Sequence, residues 1–158
     1  MIGISEYQED ELRLRNPIND AKEMAKILKE KYDFDDIKLI LDKNATRQKL
    51  AEIFEDYIRS DVMTEKDRLL VYYSGHGAIR PGTDQQGRVF EESYLIPYDA
   101  KSGVYSSYVN MDSITSNCAR CKAKHVLLIL DSCYSGTAFL VGRGPVEKPK
   151  KKIGRAHV

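Results

Sequence analysis

Two unbroken apolar runs, Leu69–Tyr73 and Val126–Leu130, stand out along the chain. Runs of that length mark strands buried on both faces of a parallel sheet. Elsewhere the apolar period is helical. Ala21, Met24, Ala25 and Leu28 follow Asn16-Pro17, whose proline suits a first helical position. Leu50, Ile53, Phe54, Tyr57 and Ile58 line a second helical face, with Thr46 placed to cap it. Met111 to Arg120 predicts a third helix. Ile2-Gly3-Ile4 and Ile37–Leu41 predict shorter strands. Tyr94-Leu95-Ile96 predicts a short strand or hairpin arm, after a polar loop with Gly82, Asp84 and Gly87. Strands alternating with helices predict an α/β domain with a mainly parallel sheet, right-handed crossovers and helices on both faces.

Composition narrows the function classes. The 158 residues suit one domain, and 42% apolar with 31% charged residues excludes wholesale disorder. No apolar run is long enough to span a bilayer, and no basic-then-apolar leader is present, so neither membrane insertion nor secretion is expected. A net charge of +1 argues against a general nucleic-acid binder. Three cysteines, an odd number, fit a reducing compartment better than a disulfide scaffold, and a cytoplasmic location is expected. Six of the 25 basic and one of the 24 acidic residues fall in Arg143–Val158, which leaves the preceding residues at −4. Residues 1–141 are therefore expected to form the folded domain and 142–158 a basic, flexible linker or tail.

In open parallel sheets chemistry gathers beyond the carboxyl ends of the strands. That points to Ser74-Gly75-His76-Gly77 after one apolar run and Asp131-Ser132-Cys133-Tyr134-Ser135-Gly136 after the other. A thiol nucleophile needs an imidazole nearby and donors for an oxyanion. Of the three histidines, His157 lies in the tail and His125 at the start of a strand, which leaves His76. Gly75 and Gly77 give the backbone freedom to turn, and Gly77 leaves its N–H open to a substrate carbonyl. Cys133 follows a strand at the same sheet edge, whereas Cys118 and Cys121 are expected to fall in a helix. Cys118, Cys121 and His125 supply three soft ligands where a closed zinc site takes four. The CxxC does not directly follow a strand, which disfavours a redox role. No metal site is assigned. Asp84, Glu91, Glu92 and Asp99 lack the spacing of a calcium loop, so no calcium ligand and no other cofactor is assigned.

The pairing of Tyr72-Tyr-Ser-Gly-His-Gly77 with Asp131-Ser-Cys-Tyr-Ser-Gly136 closely resembles the caspase-like cysteine peptidases, and Ile2-Gly-Ile-Ser5 and Pro17-Ile-Asn-Asp-Ala21 fit the same pattern. The resemblance covers about Ile2 to Phe139, and the His76–Cys133 interval is near the ~50 residues noted for caspases. It implies a three-layer α/β/α sandwich of which this chain is the large-subunit portion. It also implies Cys133 as nucleophile, His76 as general acid–base, and the amides of Gly77 and Cys133 as the oxyanion hole. Animal caspases carry Gln at the position of Asp131. Metacaspases and paracaspases, which cut after basic residues, carry an acid there and another matching Asp20. By that resemblance Asp20 and Asp131 form a pocket for Arg or Lys, and Asp131 is expected to be a buried carboxylate. Asp20 also suits the first turn of a helix as a plain charge.

Three further expectations follow. The smaller portion of the fold should come from a second chain or segment, leaving an open sheet edge beside Cys133 without it. Arg143, Lys148, Lys152 and Arg155 suit self-processing in the linker, though the lysine run also reads as a solvated linker. The alternatives are a catalytically silent caspase-like interaction module and an Asp-specific peptidase using Arg13 or Arg15.

Overall fold

The computed structural model describes residues 1–60 and 62–132. A four-stranded, wholly parallel sheet has the order β2-β1-β3-β7, where β1 is Ile2–Gly3, β2 Ile40–Leu41, β3 Arg68–Ser74 and β7 His125–Asp131. A second sheet holds the hairpin of β4 (Gly77–Thr83) and β5 (Val89–Leu95), with β6 (Val109–Asn110) antiparallel to β5. Three helices complete the described fold: α1 (Pro17–Tyr32), α2 (Arg47–Ala51) and α3 (Met111–Ala119). Their starts follow their sequence signals. Pro17 opens α1, the Thr46 hydroxyl accepts the Lys49 N–H, and the Asn110 side chain accepts the N–H groups of Asp112 and Ser113.

The parallel sheet separates two helical layers. On one face Ile2, Ile4, Val71 and Tyr73 pack with Leu50, Phe54, Ile58 and Ile114 in one buried cluster. Leu50, Phe54 and Ile58 stay on that face although the chain runs from α2 into a π-helical turn, Glu52–Tyr57. On the other face α1 lies over β1 and β3 and buries Ala21, Ala25 and Leu28. With the domain assignment given below, this is the expected three-layer α/β/α arrangement.

Three expectations shift. Of Ile37–Leu41 only Ile40 and Leu41 pair with β1, and Leu39 is exposed. The polar segment with Gly82 is not loop throughout. It belongs to the hairpin ladder, with the turn at Asp84–Arg88 and Gly87 in the left-handed region. Val126–Leu130 is not buried on both faces: β7 is an edge strand among the described residues, and Leu127 is 53% exposed on the α1 side. An apolar run reports the environment a strand is suited to, while helix coverage decides burial here. α1 reaches β1 and β3.

The docking of α1 depends on Gly3. A Cβ there would lie 2.6 Å from the Pro17 carbonyl oxygen and 2.9 Å from Ala21 Cβ. The nearer obstacle is backbone and cannot swing aside. Gly3→Ala should therefore destabilise the fold by about 1–3 kcal/mol through overpacking. Urea unfolding measures this, and an unchanged midpoint would contradict the packing of α1 on β1.

Candidate active site

The site is built where β3 and β7 end together. Their register places Ser74 opposite Asp131, and the Gly75 N–H reaches the Asp131 carbonyl at 3.4 Å. His76 follows two residues beyond β3, at the same edge. His125 opens β7 at the other end, opposite Arg68, so the strand length puts it about 20 Å away.

His76 is held from three sides. Its backbone N–H donates to the Tyr7 hydroxyl at 2.8 Å. Its carbonyl accepts from the Tyr73 hydroxyl at 2.7 Å and from the Ile96 N–H at 3.1 Å. Its ring lies tilted against that of Tyr7, with centroids 5.2 Å apart. The Nε2 atom sits 2.9 Å from the Leu12 carbonyl oxygen. A carbonyl only accepts, so in this contact Nε2 carries the hydrogen and Nδ1 is the basic nitrogen of the neutral ring.

Gly75 is required by this arrangement, for a reason other than backbone freedom. Neither Gly75 nor Gly77 has a positive φ. A Cβ on residue 75 would meet the Tyr73 hydroxyl at 2.8 Å and the Tyr7 hydroxyl at 2.9 Å. The bare Cα makes room for the two hydroxyls that fix the His76 backbone.

Gly77 begins β4. The bond from Ile96 N–H to the His76 carbonyl makes residues 76 and 96 a hydrogen-bonded antiparallel pair. Gly77, opposite Leu95, is then a non-hydrogen-bonded position whose N–H points away from β5. That amide is not spent on the hairpin ladder.

The acidic residues gather on the α1 face. The Tyr72 hydroxyl donates to Asp131 Oδ2 at 2.9 Å. Asp20, in the first turn of α1, lays its charge near the same hydroxyl. Burial above all, then the Asp131 hydrogen bond, pushes the Tyr72 phenol up to about 12. Asp131 itself is exposed at the end of β7, not buried as expected. Arg13 pairs with Glu6 and is exposed, so its guanidinium is engaged outside this cluster. Cys118 and Cys121 pack against the core at the end of α3. Cys133 lies outside the described residues, as do the linker residues Arg143, Lys148, Lys152 and Arg155. Sequence reasoning missed Tyr7, Leu12 and Tyr72. Only Tyr72, two residues before Ser74 on the same strand face, left a signal in the period of β3.

A cavity of about 900 Å³ opens instead at the amino ends of the strands, between residues 33–38 and the π-helical turn. No histidine or cysteine lines it.

Burial pushes the His76 imidazole below its ordinary 6.5, against a smaller opposing effect of the Leu12 contact. The folded state therefore binds this proton less readily than the unfolded chain. The contribution of His76 to stability is complete above about pH 6.5 and declines as acid protonates it, down to its folded pKa. NMR titration should find the His76 ring changing charge below pH 6.5. A midpoint above 6.5 would contradict the burial of the ring.

Comparison with known proteins agrees with the topology. The family model for the caspase domain matches residues 1–155. Metacaspase-6 of Arabidopsis thaliana is 27% identical over 99% of this chain and 40% of its own length. Metacaspase-1 of Meyerozyma guilliermondii is 28% identical over 88% of this chain and 35% of its own length. The crystal structure of protein GSU0716 from Geobacter sulfurreducens superposes with a TM-score of 0.65, covering 86% of this chain and 50% of that one at 22% identity. The chain thus spans well under half the length of these metacaspases. A parallel β2-β1-β3-β7 sheet between two helical layers, with the family model matched along nearly the whole sequence, leads to one assignment: the chain belongs to the caspase domain family.

Proposed function

We propose that this chain carries the catalytic part of a cysteine endopeptidase that cuts after Arg and, less well, after Lys. The observation that most supports this is the juxtaposition at one sheet edge of an oriented imidazole, His76, with the Tyr72–Asp131 pair. Cys133 follows Asp131 by two residues. In the proposed reaction its thiol gives a proton to His76 Nδ1, and the thiolate attacks the substrate carbonyl carbon. The amides of Gly77 and Cys133 receive the oxyanion. His76 then returns the proton to the leaving amine, and water hydrolyses the thioester.

Asp131 and Asp20 supply negative charge for the side chain before the cut. Arg offers two parallel donors to a carboxylate, Lys a single point charge. Asp is disfavoured by like-charge repulsion. An Asp-specific pocket using Arg13 is less well supported because Glu6 already engages that guanidinium. A silent interaction module would have no need of an oriented imidazole beside Gly77. The reading includes a further segment or chain for the smaller portion of the fold, consistent with the longer metacaspases. It also includes self-cleavage at the basic residues after 142, and action in the cytoplasm. Among the described residues no helix is long and apolar enough to cross a membrane.

A panel of fluorogenic peptides varied at the residue before the cut tests this on the full-length protein. Arg should be cleaved fastest, Lys more slowly and Asp not detectably. Cys133→Ala and His76→Ala should each abolish cleavage, and Cys118→Ala should not. Because Asp131 is exposed, Asp131→Asn should cost only about 1.5–3 kcal/mol in kcat/KM for Arg peptides, the range for a hydrogen bond to a charged group. Cleavage after Asp, or full activity in Cys133→Ala, would overturn the reading.

A further inference from the structure

Along β3 the side chains alternate between the two helical layers. Val71 and Tyr73 enter the cluster with α2 and α3, while Tyr72 and Ser74 face the other way, toward α1. Tyr72 is 4% exposed. Its hydroxyl has one hydrogen, which the Asp131 carboxylate can only accept. Ser74, two residues on, shares that strand face. Among the described residues neither Asp20 nor Asp131 enters an ion pair, and the buried donor that reaches Asp131 is a neutral one.

We propose that Tyr72 is a positioning residue that sets the preference for Arg over Lys by fixing the plane of the Asp131 carboxylate. This rests on the reading of Asp131 as part of the substrate pocket. A carboxylate at the exposed end of a strand can turn about its last bond. A hydroxyl bound to one oxygen at 2.9 Å removes much of that freedom while leaving the other lone pairs for substrate. A guanidinium fork needs both acceptors coplanar with it, so it gains from the restraint. An ammonium tolerates any orientation and gains little. With its pKa at about 12, the phenol keeps its proton at working pH and adds no competing charge.

The test compares Arg and Lys peptides of otherwise identical sequence on the full-length protein. Tyr72→Phe keeps the buried ring and removes the donor. It should lower kcat/KM for Arg about tenfold, chiefly through KM, and for Lys only about twofold. In the Asp131→Asn background, Tyr72→Phe should leave the Arg:Lys ratio unchanged, because the carboxylate it orients is gone. Replacement of Tyr72 by 3-fluorotyrosine keeps ring and donor and should retain the wild-type ratio, which separates lost positioning from lost folding. Equal losses for Arg and Lys, or an unchanged ratio in Tyr72→Phe, would overturn the proposal while a wild-type preference for Arg left the pocket reading standing. A wild-type enzyme that cuts after Asp would overturn both.

Discussion

Two phenolic hydroxyls hold the centre of this fold. Side by side over Gly75, those of Tyr7 and Tyr73 take up the backbone N–H and carbonyl of His76 respectively. Tyr73 also lies within reach of the Ile96 carbonyl at the end of the hairpin. The segment after β1, the end of β3, the start of β4 and the exit from β5 therefore meet at one point. Burial raises the Tyr7 phenol to about 12, so that hydroxyl stays neutral at any ordinary pH. Gly75 is the steric cost of that meeting. The imidazole inherits its position from the junction, and the Leu12 carbonyl sets its tautomer.

The parallel sheet turns the same junction into a site with two sides. Alternation along β3 sends Tyr73 toward the α2 and α3 layer, where it fixes His76. It sends Tyr72 toward α1, where it meets Asp131. Consecutive residues of one strand thus hold the His76 backbone from one face and the Asp131 carboxylate from the other. The register of β3 with β7 joins the two sides, because it sets Ser74 opposite Asp131 and so ends both strands at the edge where His76 follows.

Much of this was legible in the sequence, and what was not has a physical cause. The helix starts were readable because Pro17, Thr46 and Asn110 act on their own next few residues. The two long strands were readable because Leu69–Tyr73 and Val126–Leu130 are unbroken. The exposure of Leu127 was not, because it depends on how far α1 reaches across the sheet. The placement of His76 beside Asp131 followed from strand order and the family's motifs. Tyr7 and Leu12 were invisible: they act through a hydroxyl and a backbone carbonyl some 64 to 69 positions away in sequence, with no spacing to betray them. The glycine at 75 was noticed for the wrong property, since the need for it comes from neighbouring hydroxyls and not from its own φ.

The proposed function makes the end of β3 and β7 a thiol-peptidase site that selects a basic side chain. Covalent labelling tests it most directly. The full-length protein is treated with a peptidyl electrophile ending in Arg and with its Asp counterpart, and the modified residue is mapped by mass spectrometry. The expected result is modification of Cys133 by the Arg reagent, little by the Asp reagent, and none in His76→Ala. Labelling of Cys118 or Cys121 in place of Cys133, or faster reaction with the Asp reagent, would contradict it.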